Sequence, residues 1–534
     1  MQLFLQRHAA DVTGVLSGFD RLRFRGTFRL IANARGLMSL MAHLGVLAKD
    51  FKQFALGVSA HVRAAVADVA AAAGRPVLYL PSSGTDKEQV ARALAARDHV
   101  RHGLIGVWGC VERCRSFDLR SDKARGWLVV EPAPRKCQHY YLYYLHERFG
   151  FLHVRVQSWL PLNVWVCLNG REWLARELAA AGSPFRRRDN CIQPADLAGA
   201  QRRLDAQVRC DWAAELTALV RPLRLPHLIA ESVGAREFPL HSYWSLEESE
   251  WASDVVFRTP SALRALYPRL IHHGVEALSC AEVMRYLGKR PNRDGSIPLR
   301  CADDVVTDLR PAAAPVRRAE AVRLKHRVNG NWVKMYDKAD TVLRVETVIN
   351  DARDLRVYRH KEGEAHPDTT PRQWRALRKG VADVGRRAEL SQQANARYLD
   401  ALAAVDDATP VGRLVAPVCR RVRWKGRPAR GLNPWAGEDA ALLRAINRGE
   451  FAVTGFRNRD LRECLFGGGA ATDPAARRRQ SGQVTRRIRL LRAHGLVKKV
   501  SGTHRYQVSA KGRVIIAALL TAQAANTRRL LEAA

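Results

Sequence analysis

Apolar and polar positions alternate along residues 150–159, where Leu152, Val154 and Val156 fall on one side and polar residues on the other. Such alternation predicts a half-buried strand. Other parts of the chain contain short apolar runs or helical periodicity. They are the predicted strands at 77–80, 104–108 and 164–168 and the predicted helices at 59–73 and 194–223. This mixture predicts an α+β chain, with mixed α/β structure in its N-terminal and central parts.

Chain length and loop signals favour several domains. A chain of 534 residues exceeds one hydrophobic core, and the Pro-containing segments at 290–295 and 311–315 are typical of loops or linkers. The predicted regions are an N-terminal α/β region at 1–130, a central α+β region at 131–310, a β-ribbon with a basic helix at 311–410, a basic linker at 411–434 and a C-terminal domain at 435–534.

The C-terminal domain has the pattern of a winged helix-turn-helix. Val484, Ile488 and Leu491 recur at i, i+4 and i+7, which predicts one buried stripe on a basic helix. Gly495 is expected to end this helix. Residues 496–500 and 504–508 then predict the two strands of a ribbon, with a Ser-Gly-Thr turn between them.

Polar residues of this helix and ribbon are the predicted DNA contacts. Arginine and glutamine at the exposed start of such a helix suit base edges in the major groove, and further basic residues suit phosphates. The predicted DNA-binding residues are Gln483, Thr485, Arg486, Arg487, Arg489, Arg492, Lys498, Lys499, His504 and Arg505.

Several of these positions resemble the winged-helix domain of MarR-like bacterial transcription regulators. The matching residues are Arg487, Leu490-Leu491, His494-Gly-Leu-Val497, Lys498, Tyr506 and Lys511-Gly512. The resemblance covers residues 435–534 and implies duplex DNA as the partner and transcriptional regulation as the function. A winged helix used for protein contact is the alternative.

Charge and composition predict a polyanionic binding partner. The chain has 88 Lys+Arg against 52 Asp+Glu, a net charge of +36 and a pI near 10.7, and +19 of that charge lies in residues 411–534. Basic surfaces bind nucleic acid by neutralising phosphates and releasing counterions. DNA is the expected partner, RNA stays open as an alternative, and the sequence leaves the oligomeric state open.

Hydropathy and cysteine spacing predict a cytoplasmic protein. No run of about 18 apolar residues occurs and the N-terminus has no cleavable apolar core, so we expect no membrane insertion or secretion. The ten cysteines include no Cys-x-x-Cys pair, which disfavours a zinc ribbon. Cys110, Cys114, Cys137 and His139 have the residue types of a metal site, but their irregular spacing favours reduced, structural thiols.

A second motif predicts a catalytic site. Lys-Met-Tyr-Asp-Lys at 334–338, followed by Leu-Arg-Val-Glu at 343–346, resembles a pattern in rolling-circle replication initiators and related mobile-element proteins. The matching positions are Tyr336, Lys338, Arg344 and Glu346. The resemblance implies a carboxylate that helps to hold Mg²⁺ or Mn²⁺ and a tyrosine that attacks a phosphodiester. The chain departs from the pattern in having no His-apolar-His pair.

A carboxylate cluster is another interpretation of the same region. Asp20, Asp254 and Glu346 would form a dispersed metal site of the two-metal nuclease kind if the fold brought them together. The ordinary alternative is that Tyr336 and Glu346 are half-buried strand residues, with Glu346 paired to Arg or Lys. Two functions therefore remain, a DNA-binding regulator and a mobile-element nuclease, nickase or transposase-like enzyme. The second requires Asp20, Asp254, Tyr336 and Glu346 to lie close together.

Overall fold

The fold is described from a computed structural model of the chain. It describes residues 1–80, 84–122, 126–234, 240–278, 283–284, 286–288, 301–307, 322–353, 355–360, 373–403, 410–447, 451, 455–466, 473–500 and 504–524. The predicted loops at 290–295 and 311–315 and the turn at 501–503 lie outside these residues.

A large mixed sheet dominates the described structure. The strands are β1 (Val12–Phe28), β2 (Val77–Tyr79), β3 (Gly103–Asp122), β4 (Trp127–His146), β5 (Gly150–Gln157), β6 (Val164–Asn169), β7 (Phe185–Arg188), β8 (Cys191–Pro194), β9 (Ser242–Phe257), β10 (Cys301–Thr307), β11 (Val322–Val328), β12 (Asn331–Lys338), β13 (Val342–Ile349), β14 (Arg356–Arg359), β15 (Gln373–Ala376), β16 (Val422–Trp424), β17 (Arg427–Ala429), β18 (Val497–Lys499) and β19 (Tyr506–Val508). Eleven of these strands pair in the order β10-β11-β12-β13-β9-β1-β6-β5-β4-β3-β2. Neighbours are antiparallel except β2 and β3.

This sheet crosses the predicted domain boundaries. Strand β1 belongs to the expected region 1–130, yet it pairs with β6 and β9 of region 131–310. Strand β9 in turn pairs with β13 of region 311–410. The boundaries near 130 and 310 are therefore wrong as limits of folding units. Pairing between strands hundreds of residues apart is set by tertiary packing, which local loop signals do not report.

Helices cover the sheet and build the C-terminal unit. In the described residues they are α1 (Gln2–Arg7), α2 (Ala34–His43), α3 (Phe51–Ala72), α4 (Lys87–Arg97), α5 (Gly170–Ala180), α6 (Leu197–Val208), α7 (Trp212–Val220), α8 (Leu225–Glu231), α9 (Pro260–Ala277), α10 (Val384–Leu402), α11 (Val411–Cys419), α12 (Gly437–Ile446), α13 (Asn458–Phe466), α14 (Pro474–Ala493) and α15 (Ala510–Ala524).

Two hydrophobic clusters pack on one face of the sheet. Helix α3 contributes Val58 and Val62 to the first, and α10 contributes Tyr398 and Leu399 to the second. The stretch Ala48–Ala72 is long and apolar enough to cross a membrane by length and composition alone. Phe51, Phe54, Ala55, Val58, Val62, Val66 and Ala70 of this stretch are buried in the first cluster, whereas Leu56 is exposed. The stretch therefore packs one face on the sheet.

Asn395 of α10 holds two strands of the sheet together. Its side-chain amide donates to the carbonyl oxygens of Trp251 on β9, at 3.1 Å, and Val345 on β13, at 2.9 Å. Its Oδ1 accepts from the Thr347 hydroxyl at 2.7 Å. All of these groups are buried, so a polar side chain at position 395 is needed to satisfy them.

The C-terminal residues form a separate hydrophobic cluster, and the predicted linker at 411–434 is part of it. Helix α11 buries Val415 and Val418, and Leu432 follows the β16–β17 hairpin into the same cluster as Leu443 and Ile488. The linker prediction is wrong because the basic, proline-containing composition of this segment concealed an apolar helix face.

Helix α14 confirms the predicted buried stripe but is longer than expected. Val484, Ile488 and Leu491 are buried. The helix begins at Pro474 because the carboxylate of Asp473 accepts hydrogen bonds from the backbone N–H groups of residues 475 and 476, and proline is favoured at the first helical position. Strands β18 and β19 pair after it as an antiparallel ribbon.

Replacing Asn395 with leucine tests the role of this amide in the sheet. We expect Asn395→Leu to lower the free energy of unfolding by about 2–4 kcal/mol, because buried carbonyls and the Thr347 hydroxyl lose their partner. Urea unfolding followed by tryptophan fluorescence measures the change. The matched control is Gln393→Leu, at an exposed position of the same helix, with an expected change within about 0.5 kcal/mol. Equal stability of the two variants would contradict the assignment.

Candidate functional site

A β-bulge in β1 forms the centre of the site. The register against β9 shifts, so that Phe19 lies opposite Trp251, Arg21 lies opposite Glu250, and Asp20 is the extra residue. Bulges change the direction of a side chain and are common beside functional sites. Asp20 and Arg21 consequently both project from the sheet face opposite the two apolar clusters. We call this surface the polar face.

Arg344 is a fully buried charge on the polar face. Its Nε and Nη2 donate to the two oxygens of Asp254 at 2.6 and 2.9 Å, and its Nη1 donates to Oδ2 of Asp20 at 3.3 Å. Arg344 and Asp254 face each other on β13 and β9. Arg171 of α5 approaches Asp254 as well, at 3.3 Å. Two guanidinium groups therefore neutralise Asp254, in the forked geometry that makes such pairs strong.

Glu346 lies next to Arg344 and is fully buried. Its Oε2 is 2.6 Å from Nζ of Lys334, and its Oε1 is 3.6 Å from Nη1 of Arg344. The Tyr336 side chain lies near the same carboxylate and helps to lower its pKa. Because strands β12 and β13 are neighbours, alternation along each strand puts these side chains together on the polar face.

Glu250 is the acid on the more open side of this group. Its Oε1 is 2.9 Å from Nη2 of Arg21, and its Oε2 is 3.8 Å from Nζ of Lys334. Asp20, Glu250 and Glu346 each offer an oxygen within 4.8 Å of those of the other two. These three side chains, which we call the acidic trio, have the donor atoms that hard divalent cations prefer.

The two buried acids of the trio have opposite pKa shifts. Burial raises the pKa of Asp20 to about 7, because desolvation outweighs the attraction of Arg344. Burial also disfavours ionised Glu346, but Lys334 and Arg344 outweigh it and hold its pKa at about 2. Neighbouring carboxyls in different protonation states near neutral pH are a common property of catalytic sites.

The β7–β8 hairpin covers part of the polar face. The Asn190 side chain at its turn donates to Oδ2 of Asp20 at 2.6 Å, and the Asn190 carbonyl accepts from Arg344 at 3.1 Å. Asp189 lies 3.1 Å from Nζ of Lys338. The hairpin therefore fixes one side of the Asp20 carboxylate and leaves the side toward Glu250 uncovered by these contacts.

All four residues nominated from the sequence meet at this site. Asp20, Asp254 and Glu346 surround Arg344, and Tyr336 reaches Glu346. Lys338, part of the same motif, instead contacts the β7–β8 turn. Glu250 was not among the site residues predicted from the sequence. Its spacing of four residues from Asp254 on one strand puts both on the same face, which is the signal that could have found it.

Some predicted DNA-binding residues of the C-terminal unit are exposed, and others form contacts within the protein. Exposed positions are Gln483, Arg486, Arg489, Lys498, Lys499 and His504. Thr485 is also exposed but bonds to Asn458 of α13 at 2.9 Å. Arg487 forms an ion pair with Glu438 at 2.9 Å, and Arg505 donates to the Gly455 carbonyl at 3.3 Å.

Helix α14 presents further exposed arginines that are not among the predicted DNA contacts. Arg477, Arg478 and Arg479 are exposed in its first turns. Residues 479, 483 and 486 follow at i, i+4 and i+7, a stripe on the side away from the buried one. These arginines were missed because the helix was expected to begin near residue 483. The Asp-Pro pair at 473–474 is the start signal that could have revealed them.

The β16–β17 hairpin extends the basic surface beside α14. A cavity of about 380 Å³ between them is lined by Trp424, Arg427, Arg430, Arg486 and Arg489, among others. Arg492 lies 5.0 Å from the centre of the Trp424 ring, within cation–π range. The segment expected to be a linker is therefore part of a basic surface of this unit.

Two cysteines approach each other on the β3–β4 hairpin. The Sγ atoms of Cys114 and Cys137 are 3.1 Å apart, and Nδ1 of His139 is 3.9 Å from Cys137 Sγ. Cys110 is outside this group and donates to Glu112 at 3.2 Å. Cys110, Cys114 and Cys137 are not joined in disulfides.

Comparison with known proteins adds no assignment to either surface. No protein-family model matches the chain, and neither a curated protein nor a solved structure shows detectable similarity to it. The interpretation of both surfaces therefore rests on their geometry and charge.

Removing the Arg344 cation tests its role at the centre of the polar face. We expect Arg344→Met to lower the free energy of unfolding by about 3–5 kcal/mol, because Asp254 and Asp20 stay buried with one compensating charge fewer. Chemical denaturation measures the loss. Arg353→Met is the matched control, since Arg353 is 80% exposed in its ion pair with Asp351 and such pairs contribute about 0–1 kcal/mol. A similarly small effect for both variants would contradict this assignment.

Proposed function

We propose that this protein is a cytoplasmic nucleic-acid-binding protein that recognises duplex DNA through its C-terminal unit. The observation that carries the proposal is the exposed stripe of α14, which presents Arg479, Gln483 and Arg486 opposite its buried side. A helix of about 11 Å diameter fits the major groove of DNA. Arginine and glutamine on such a helix can contact both base edges and phosphates.

The order of elements in this unit supports a winged helix-turn-helix. Helices α12, α13 and α14 are followed by the β18–β19 ribbon and by α15, the arrangement expected for a recognition helix followed by a wing. Lys498 and Lys499 are exposed on the ribbon, with His504 just before its second strand. Basic side chains on a wing suit phosphates beside the groove that the helix enters. Regulation of transcription follows as the consequence we propose for such binding.

The contacts of the unit also narrow the set of DNA-reading residues. Arg487 is ion-paired with Glu438 and Thr485 is hydrogen-bonded to Asn458, so both contribute to the packing of α14 against its neighbours. Arg479 and Arg486 have exposed side chains on one stripe. We therefore assign the direct contacts to this stripe and a positioning role to Arg487.

Removing two arginines of the stripe tests duplex binding. We expect Arg479→Ala with Arg486→Ala to weaken binding of a fluorescent random-sequence duplex by tenfold or more and to reduce the salt slope by about 2, since each lost phosphate contact removes about one unit. Fluorescence anisotropy at several salt concentrations measures both quantities. An RNA duplex of the same length shows whether DNA is preferred.

A charge-matched variant separates recognition from net charge. Arg413→Ala with Arg444→Ala removes two exposed arginines from α11 and α12 and should leave affinity within about threefold, apart from weak long-range screening effects. Equal losses in the two double variants would mean that overall charge, and not the α14 stripe, holds the duplex.

Phosphodiester cleavage on the polar face is a second candidate function. It is favoured by the convergence of Asp20, Glu250 and Glu346 within 4.8 Å, beside Arg21 and Arg23, which are 45% and 33% exposed in ion pairs with Glu250 and Glu248. Carboxylates with bound metal ions and nearby cations are the usual means of cutting phosphodiesters. The three acids come from strands that are far apart in the chain, so only the folded protein brings them together.

Geometry favours water over tyrosine as the attacking group. Tyr336 is 4% exposed and lies within a strand, so its hydroxyl is poorly placed to meet a substrate. In hydrolysis, a water oxygen bonds to phosphorus and the bond from phosphorus to one sugar oxygen breaks. The water proton passes to solvent, and the departing sugar oxygen gains a proton to become a hydroxyl.

Cleavage of labelled single-stranded and hairpin DNA with Mn²⁺ tests this candidate. We expect Glu346→Gln to lower the rate by about 10²-fold or more, the loss typical of a group that acts in the chemical step. Tyr336→Phe should keep most of the activity and leave no protein–DNA adduct on a denaturing gel. Circular dichroism and tryptophan fluorescence of each variant serve as the folding control. Loss of cleavage in Tyr336→Phe, together with a covalent adduct in the unmodified protein, would establish the tyrosine mechanism instead.

A further inference from the structure

We propose that Asp20, Glu250 and Glu346 form a binding site for one divalent, oxygen-preferring cation, Mg²⁺ or Mn²⁺. This inference goes beyond duplex binding and deepens the cleavage candidate, on which it rests only for the identity of the substrate. The site differs from the grouping expected from the sequence, because Glu250 replaces Asp254 as the third acid.

The spacing of the trio suits a cation of this size. Its oxygens lie within 4.8 Å of one another, whereas around an octahedral Mg²⁺ with bonds of about 2.1 Å adjacent ligands are about 3.0 Å apart and opposite ligands are about 4.2 Å apart. Side-chain movement of Glu250, the most accessible of the three, by about 1–2 Å would bring the oxygens to this spacing. Three carboxylates without sulfur or imidazole favour magnesium or manganese over zinc or copper.

A separate observation at Asp20 points to an absent ligand. Its Oδ2 accepts from Asn190 and Arg344, whereas Oδ1 is buried and has no hydrogen-bond partner among the described residues. The residue as a whole is only 3% exposed. A buried carboxylate oxygen without a partner is costly, and a cation held with Glu250 and Glu346 would satisfy it.

The surrounding charges determine which acids are available to a cation. Both oxygens of Asp254 are bonded to Arg344, and Arg171 pairs with it as well. We therefore assign Asp254 a role in positioning Arg344 and exclude it from the proposed metal ligands. Glu346 is paired with the ammonium group of Lys334 at 2.6 Å. An ammonium group can occupy part of the space of a metal ion, so Lys334 would shift toward Glu250 or solvent when the ion binds.

Exposed cations near the trio indicate the chemical class of the substrate. Arg21 is 45% exposed and Arg23 is 33% exposed along β1, where they form ion pairs with Glu250 and Glu248. Guanidinium groups bind phosphate oxygens in a forked geometry. A phosphodiester of a nucleic-acid strand, bound to these arginines and to the cation, matches this arrangement.

Cation binding to the full-length protein without nucleic acid tests the site. Electron paramagnetic resonance counts free Mn²⁺, and we expect one bound Mn²⁺ per chain that Mg²⁺ displaces. Glu250→Gln should weaken this binding by about tenfold or more. Glu248→Gln is the matched control, because Glu248 lies two residues away on the same strand face and pairs with Arg23 outside the trio. The Mn²⁺ affinity of this variant should stay within twofold of that of the unmodified protein.

Asp20→Asn provides a second variant at the buried end of the site, with circular dichroism confirming its fold. If Glu250→Gln and Glu248→Gln change Mn²⁺ binding equally, or if the unmodified protein binds no stoichiometric Mn²⁺, the proposed site is overturned. Failure of cleavage is a separate outcome: stoichiometric Mn²⁺ that depends on Glu250, together with uncut DNA, would support the cation site and reject the cleavage candidate.

Discussion

The structure around the polar face depends on one buried guanidinium group. Arg344 connects β13 to β9 through Asp254 and to β1 through Asp20, and it reaches the β7–β8 turn through the carbonyl of Asn190. Transferring such a charge from water costs several kcal/mol unless its partners are in place. The position of each acid is therefore coupled to the others, and a loss at one partner leaves a charge uncompensated.

The same interaction fixes the register of the strands. A slip of one residue between β9 and β13 would exchange their two faces and would direct Arg344 into the apolar cluster that contains Val345 and Leu343. Asn395 opposes the same slip from the other side, because its amide bonds backbone carbonyls of both strands. Polar contacts on both faces thus specify one pairing where the apolar residues alone would allow more.

Local patterns predicted elements well and their pairing poorly. The alternation at 150–159 indicated β5, and the stripe Val484, Ile488 and Leu491 indicated the buried side of α14, since both depend on neighbours in the sequence. The contact between Asp20 and Arg344 joins residues 324 positions apart through a bulge and a strand order that local patterns do not encode. The errors at 411–434 and at the start of α14 have a different cause. In both segments the basic composition was given more weight than a local signal, which was an apolar helix face in the first and a helix cap in the second.

The two surfaces also differ in what they require of a nucleic acid. On α14 the exposed stripe contains arginines and a glutamine, so phosphates meet favourable charge directly. On the polar face, Arg21 and Arg23 lie beside three carboxylates, which repel a phosphodiester at close range. A bound divalent cation would reverse the sign of that local field and would couple the arginines to the acids in one site. Divalent cations thereby separate the two proposed activities: duplex binding at α14 needs none, whereas engagement of a strand at the acidic trio depends on one.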